Sequence, residues 1–177
     1  MPVLIVLSGP PGIGKSTVGD AVARLHPAVR LSIDDVEEAM LACGLPASGT
    51  GVAAYEVVRA AAEQNLALGK DVVVDAVNDS EPARETWQRA AAATGSRLLI
   101  AVLGMADARA HRARLEGRTR PFVRLEEPSW SRVSALQATT APWGTDVLRL
   151  DAALPPGALA RSVVAEVPPR MRAGTPA

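Results

Sequence analysis

The chain has 177 residues, 48% hydrophobic but only 3% aromatic, with 19 basic and 19 acidic side chains and a formal net charge of zero. That supports one aliphatic core of ordinary domain size, and it excludes a molecule-wide positive field that would draw in a polyanion. The single cysteine, Cys43, excludes an intrachain disulfide and suits a cytoplasmic, reducing compartment, and no apolar run is long enough to span a membrane.

In chain order, short apolar runs alternate with longer helical patterns, which predicts a parallel α/β sheet. Strands are expected at Val3–Ser8, Val29–Ile33, Val72–Asp75, Arg97–Leu103 and Val147–Leu150. Helices are expected at Lys15–His26, Asp34–Cys43, Val52–Leu68, Ser80–Thr94, Ala106–Leu115, Pro128–Thr139 and Pro155–Val167. Gly44–Gly51, rich in Gly, Pro, Ser and Thr, is expected to be a loop. Ser80 stands as an N-cap with Pro82 in the first turn, and Gly69 and Gly95 end their helices. Cys43 continues the stripe of Val36 and Met40 and is expected to be buried. The three tryptophans are scattered, which suits packing better than a stacking platform. The pattern gives one domain over residues 1–167, with a lid at about 112–127 and a flexible Pro/Gly-rich tail over 168–177.

Gly9-Pro10-Pro11-Gly12-Ile13-Gly14-Lys15-Ser16 matches the phosphate-loop pattern G-x-x-x-x-G-K-[ST] in full, between an apolar strand and a helix. Glycines let successive N–H groups turn inward, and the helix N-terminus adds its dipole. Gly9, Gly12, Ile13, Gly14, Lys15, Ser16 and Thr17 are therefore the candidate residues for ATP. Lys15 is set for the β- and γ-phosphates, and the Ser16 hydroxyl for Mg²⁺.

Acids follow the next two strands. Asp34 and Asp35 follow the second strand, at the sheet edge where an open sheet binds its ligands. Asp34 is the candidate base for an acceptor hydroxyl, and either carboxylate would also serve as a helix cap. Val72-Val73-Val74-Asp75 is an apolar strand ending in a carboxylate that can hold Mg²⁺. Asp35, Tyr55 and Asn78 are candidates for the acceptor pocket. Arg109, Arg112, Arg114, Arg118, Arg120 and Arg124 cluster with few acids between them, as a mobile cationic lid requires. Arg114 and Arg118 are one helical turn apart and are the candidates for phosphate contact, with Arg120 beside them.

These pieces resemble the P-loop kinases grouped around polynucleotide 5′-kinase and chloramphenicol phosphotransferase. The resemblance runs from Val3 to about Arg124. It rests on the phosphate loop, Ser32-Ile33-Asp34-Asp35, the run from Val72 to Asn78, Glu81-Pro82-Ala83-Arg84 and the arginine-rich lid. It implies a five-stranded parallel sheet of the nucleotide-kinase type, with Asp34 as acceptor base and Arg114 and Arg118 as lid arginines. Glu37 stands where polynucleotide kinases carry a phosphate-gripping arginine, so a small-molecule hydroxyl is the expected acceptor and a nucleic-acid end the alternative. An ATP-binding regulatory module, which needs no acceptor base, is a third alternative.

Overall fold

The computed structural model describes residues 1–169. The tail expected from residue 168 onward lies, after residue 169, outside the described residues. Five strands, β1 Val3–Ser8, β2 Ala28–Ser32, β3 Asp71–Ala76, β4 Arg97–Gly104 and β5 Leu148–Asp151, pair in parallel in the order β2-β3-β1-β4-β5. The central strands β1 and β3 are buried along their whole length, and their near-continuous Val, Leu and Ile residues answer to two covered faces.

Helices α1 (Lys15–Leu25) and α7 (Pro156–Ala165) cover one face, where Ile5, Leu7 and Val73 meet Val18, Val22, Leu159 and Val163. On the other face, Leu4, Val6, Val72 and Val74 meet α3 (Ala47–Ala67) and α4 (Glu81–Thr94) through Ala54, Val58, Ala62, Leu66 and Trp87. Alanine at Ala54, Ala62 and Ala90 lets these helices lie close to the sheet. Trp87, fully buried, supplies the bulk that the other core residues lack.

Local chemistry sets most boundaries. Ser32 caps α2 (Ile33–Ala42) by accepting from the Asp35 N–H, so Asp34 and Asp35 lie inside the first turn and neither caps it. Asp107 accepts from the Arg109 and Ala110 N–H groups, starting α5 (Ala108–Gly117) two residues later than the periodicity predicts. Ser129 caps α6 (Trp130–Thr139) in the same way. Ser80 occupies the N-cap of α4, but its side chain makes no capping bond.

Two expectations fail. The predicted loop Gly44–Gly51 is helical from Ala47 onward. Thr50 is buried and donates to Glu37 Oε1 of α2 at 3.0 Å, and packing against α2 overrides the weak helix propensity of Gly49 and Gly51. Cys43 is exposed, because α2 stops at Ala42 and turns it out as the C-cap.

Candidate active site

The phosphate loop leaves the C-terminal end of β1. It bends through left-handed or positive-φ backbone at Gly9, Gly12 and Gly14, with φ of 145°, 80° and 103°. At Gly12 a side chain is excluded twice. The backbone is left-handed, and a Cβ would stand 2.9 Å from the Leu115 Cβ of α5. Lys15 Nζ donates to the carbonyls of Gly9 at 2.8 Å and Pro10 at 3.1 Å. Burial lowers the Lys15 ammonium to about 8, against the opposing attraction of Asp34 and Asp75.

Beside the loop, the Ser16 hydroxyl donates to Asp75 Oδ2 at 2.7 Å. Asp75 lies opposite Leu7 of β1 and Ser32 of β2, and it is buried. Burial raises its carboxyl pKa, with Arg30 the largest opposing influence. Arg30 Nη1 stands 3.0 Å from Asp75 and its Nε 2.7 Å from Asp20, close as charges but at angles that make no hydrogen bond with Asp75 Oδ1.

Across the sheet edge, Asp34 projects from the first turn of α2 and pairs with Arg120 Nη1 at 2.6 Å. Arg120 and Arg118 both bond to Glu127, which pulls the segment between α5 and α6 into a closed strap. Glu38 fastens that strap to α2 by accepting from three successive N–H groups, Val123, Arg124 and Leu125, at 2.7–3.1 Å. A cavity of about 850 Å³ lies between α2, α3, the strap and α6. Asp34, Glu37, Tyr55, Asp79, Arg120 and Arg132 line it, with Ile33, Leu41, Leu125, Val133 and Leu136 as its apolar wall. Tyr55 accepts the Asn78 N–H at 3.1 Å. Burial pushes its phenol up, so it stays protonated and able to donate.

The family AAA_33, an AAA domain, matches residues 4–141. The chain belongs to that family. No curated protein matches it. Among solved structures, a Chloroflexus aurantiacus protein described as a kinase superposes with a TM-score of 0.72 at 18% identity, covering 93% of this chain and 94% of that one. A gluconokinase from Sinorhizobium meliloti superposes at 0.65 with 22% identity, covering 93% and 90%. The Mycobacterium tuberculosis APS kinase, solved with AMPPNP and APS, superposes at 0.66 with 18% identity, covering 93% and 96%. At these identities the AAA domain shares its fold with kinases: a five-stranded parallel sheet, flanking helices and a phosphate loop.

Within this AAA domain, Lys15, Ser16, Asp34, Asp75, Arg118 and Arg120 lie together: Asp34, Asp75 and both arginines all act on the charge of Lys15. Other sequence candidates fall elsewhere. Asp35 is exposed and outside the cavity lining. The Asn78 side chain is fully buried, its Oδ1 accepting from Trp87 Nε1 at 2.7 Å, so its backbone is what supports Tyr55. Arg114 turns to the far side of the loop and donates to the Ala152 carbonyl at 2.6 Å. There it lines a hollow of about 290 Å³ with Ile13, Gly14, Thr17, Leu154 and Pro155.

Sequence reasoning missed Arg30, Glu38, His111 and Glu127. No motif marks them: Arg30, Glu38 and His111 act through partners distant in sequence, and Glu127 meets Arg118 and Arg120 across a segment without helical spacing. Arg84 was read only as part of a helix start. It is buried and donates to the carbonyls of Asn78, Ala141 and Pro142, with Trp143 stacked 4.1 Å below its guanidinium.

Proposed function

We propose that this chain is an ATP-dependent phosphotransferase that moves the γ-phosphoryl group onto a hydroxyl of a small molecule. The observation that carries the reading is the meeting of the phosphate loop, the Asp34 carboxylate and the 850 Å³ cavity at one edge of the sheet. The gluconokinase and the APS kinase, by their names, are kinases on the same fold, which favours the same reaction class here.

ATP would lay its phosphates on the loop N–H groups and on Lys15. Its base would enter the hollow between Arg114 and Pro155. Ser16 and Asp75 supply a hydroxyl and a carboxylate, oxygen donors of the kind Mg²⁺ takes, and Mg²⁺ would neutralise charge on the phosphate oxygens. Among the described residues no cluster of three or more His, Cys, Asp and Glu could hold a metal, so phosphates and water would complete the shell. The acceptor would lie in the cavity, with its hydroxyl against Asp34 and a further oxygen bonded by Tyr55. Asp34 takes the hydroxyl proton as the acceptor oxygen bonds to the γ-phosphorus. The bond from that phosphorus to the bridging oxygen breaks and ADP leaves. For this, Arg120 must leave Asp34 and swing to the transferring group, where it and Arg118 balance charge.

The apolar wall of Leu41, Leu125 and Leu136 favours an acceptor with an apolar body, antibiotic- or nucleoside-like before sugar-like, because hydroxyls buried there would go unpaired. A polynucleotide 5′-hydroxyl kinase is the second reading, favoured by the exposed Arg124 and Arg132 at the cavity. Glu37, Asp79 and Glu126 on the same lining oppose it. The test is ADP release from ATP·Mg²⁺ over a panel of hydroxyl compounds and 5′-hydroxyl oligonucleotides. Turnover with an amphipathic small alcohol supports the first reading. Efficient oligonucleotide labelling that falls steeply with salt replaces it by the second.

A further inference from the structure

The outward face of the phosphate loop is held by α5, the helix that leads into the lid. For loop N–H groups to turn inward, their carbonyls must turn outward, and each buried carbonyl needs a donor. Lys15 serves Gly9 and Pro10. His111, 1% exposed, serves the next one: its Nε2 lies 2.8 Å from the Pro11 carbonyl, which only accepts, so Nε2 carries the proton. One turn further along α5, Leu115 fills the space that a side chain on Gly12 would need. The imidazole also stands edge-on to Trp130, with ring centroids 5.2 Å apart and planes at 90°. Trp130 opens α6 and Gly117 closes α5, so the strap of residues 118–129 begins and ends on elements that meet at His111.

We propose that His111 is a positioning residue that ties the phosphate loop to both ends of the lid, so that filling the loop with a triphosphate stiffens the lid. The proposal rests on the phosphotransferase reading for its ligand. When phosphate draws Lys15 away, the Gly9 carbonyl loses that donor and Pro10 keeps only the long bond from the Ile13 N–H at 3.4 Å, while the bond from His111 to Pro11 remains as the loop's anchor to α5. The anchored loop then holds α5 through Leu115, and the ring contact passes the constraint to α6.

The test compares wild type with His111→Leu, His111→Gln and Trp130→Leu. It reads the affinity for a non-hydrolysable ATP analogue by calorimetry and the hydrogen exchange of residues 118–127 with and without that analogue. Wild type should bind and show slowed lid exchange. His111→Leu should bind about tenfold more weakly, as loss of one buried hydrogen bond implies, and lose the slowing. His111→Gln, whose amide reaches the same carbonyl, should restore both. Trp130→Leu should keep the affinity and lose the slowing, and with His111→Gln it carries the test if His111→Leu does not fold. Wild-type slowing in Trp130→Leu, or in a folded His111→Leu, overturns the proposal. So does a His111→Gln protein no better than His111→Leu. A wild-type protein that binds no analogue overturns the phosphotransferase reading beneath it.

Discussion

Lys15 is held by the carbonyls of its own loop and lowered to about 8 by burial, which brings the loss of its charge close to neutral pH. A triphosphate would restore the ammonium, so ATP affinity should be level below pH 8 and fall up to tenfold per pH unit above it. Folding has the opposite sign. Between about 8 and the ordinary value of 10.5 the unfolded chain holds the extra proton, so stability gains from this residue as pH rises through that window. Titration calorimetry from pH 6.5 to 9.5 measures the first effect, and level affinity throughout would show that Lys15 does not meet the phosphates. Gly12→Ala should destabilise the fold by about 1–3 kcal/mol, from a strained left-handed alanine and its collision with Leu115. A denaturation midpoint equal to wild type would contradict that geometry. The loop residues were legible in the sequence because the phosphate-loop pattern is local. Arg30 was not: its place between Asp20 and Asp75 follows from the sheet order, which no local pattern encodes.

The strap between α5 and α6 is the element whose state decides whether Asp34 is free. It is latched to α2 by Glu38, and the Val123 N–H, ahead of those of Leu125 and Arg124, holds that carboxyl below its ordinary value of 4.5. A depressed carboxyl stabilises the latch above the unfolded value and loses that stabilisation as pH falls through the folded one, so acid should open the lid. Glu38→Ala should open it at neutral pH. Amide exchange at 123–125 should quicken by an order of magnitude or more while the melting temperature moves little, since the latch is at the surface. Unchanged exchange would mean that the Arg120–Asp34 and Glu127 pairs hold the strap without Glu38. In the sequence the strap stood out as an arginine cluster without helical periodicity. Its acidic partners did not, because Asp34 and Glu38 approach it across more than eighty residues. Helix α3 was misread for a related reason, since Gly49 and Gly51 signal a loop by propensity and only the packing against α2 makes them helical.

At the scale of the whole molecule, alternation of apolar runs with helical patterns was enough to read five parallel strands and their flanking helices, because two-sided burial leaves a plain mark on β1 and β3. The order of the strands gathers the ends of β1, β2 and β3 together, with the phosphate loop, the Asp34 carboxylate and the cavity on one edge. That convergence is the ground for the proposed chemistry, and Asp34 is where it is most exposed to test. The decisive measurement is ADP release with ATP·Mg²⁺ and an accepted hydroxyl compound, run beside nucleotide affinity, for wild type and Asp34→Asn. The account expects Asp34→Asn to bind ATP within about threefold of wild type and to transfer about 10²–10⁴ times more slowly, the span of a lost general base. Transfer at the wild-type rate by Asp34→Asn would contradict it.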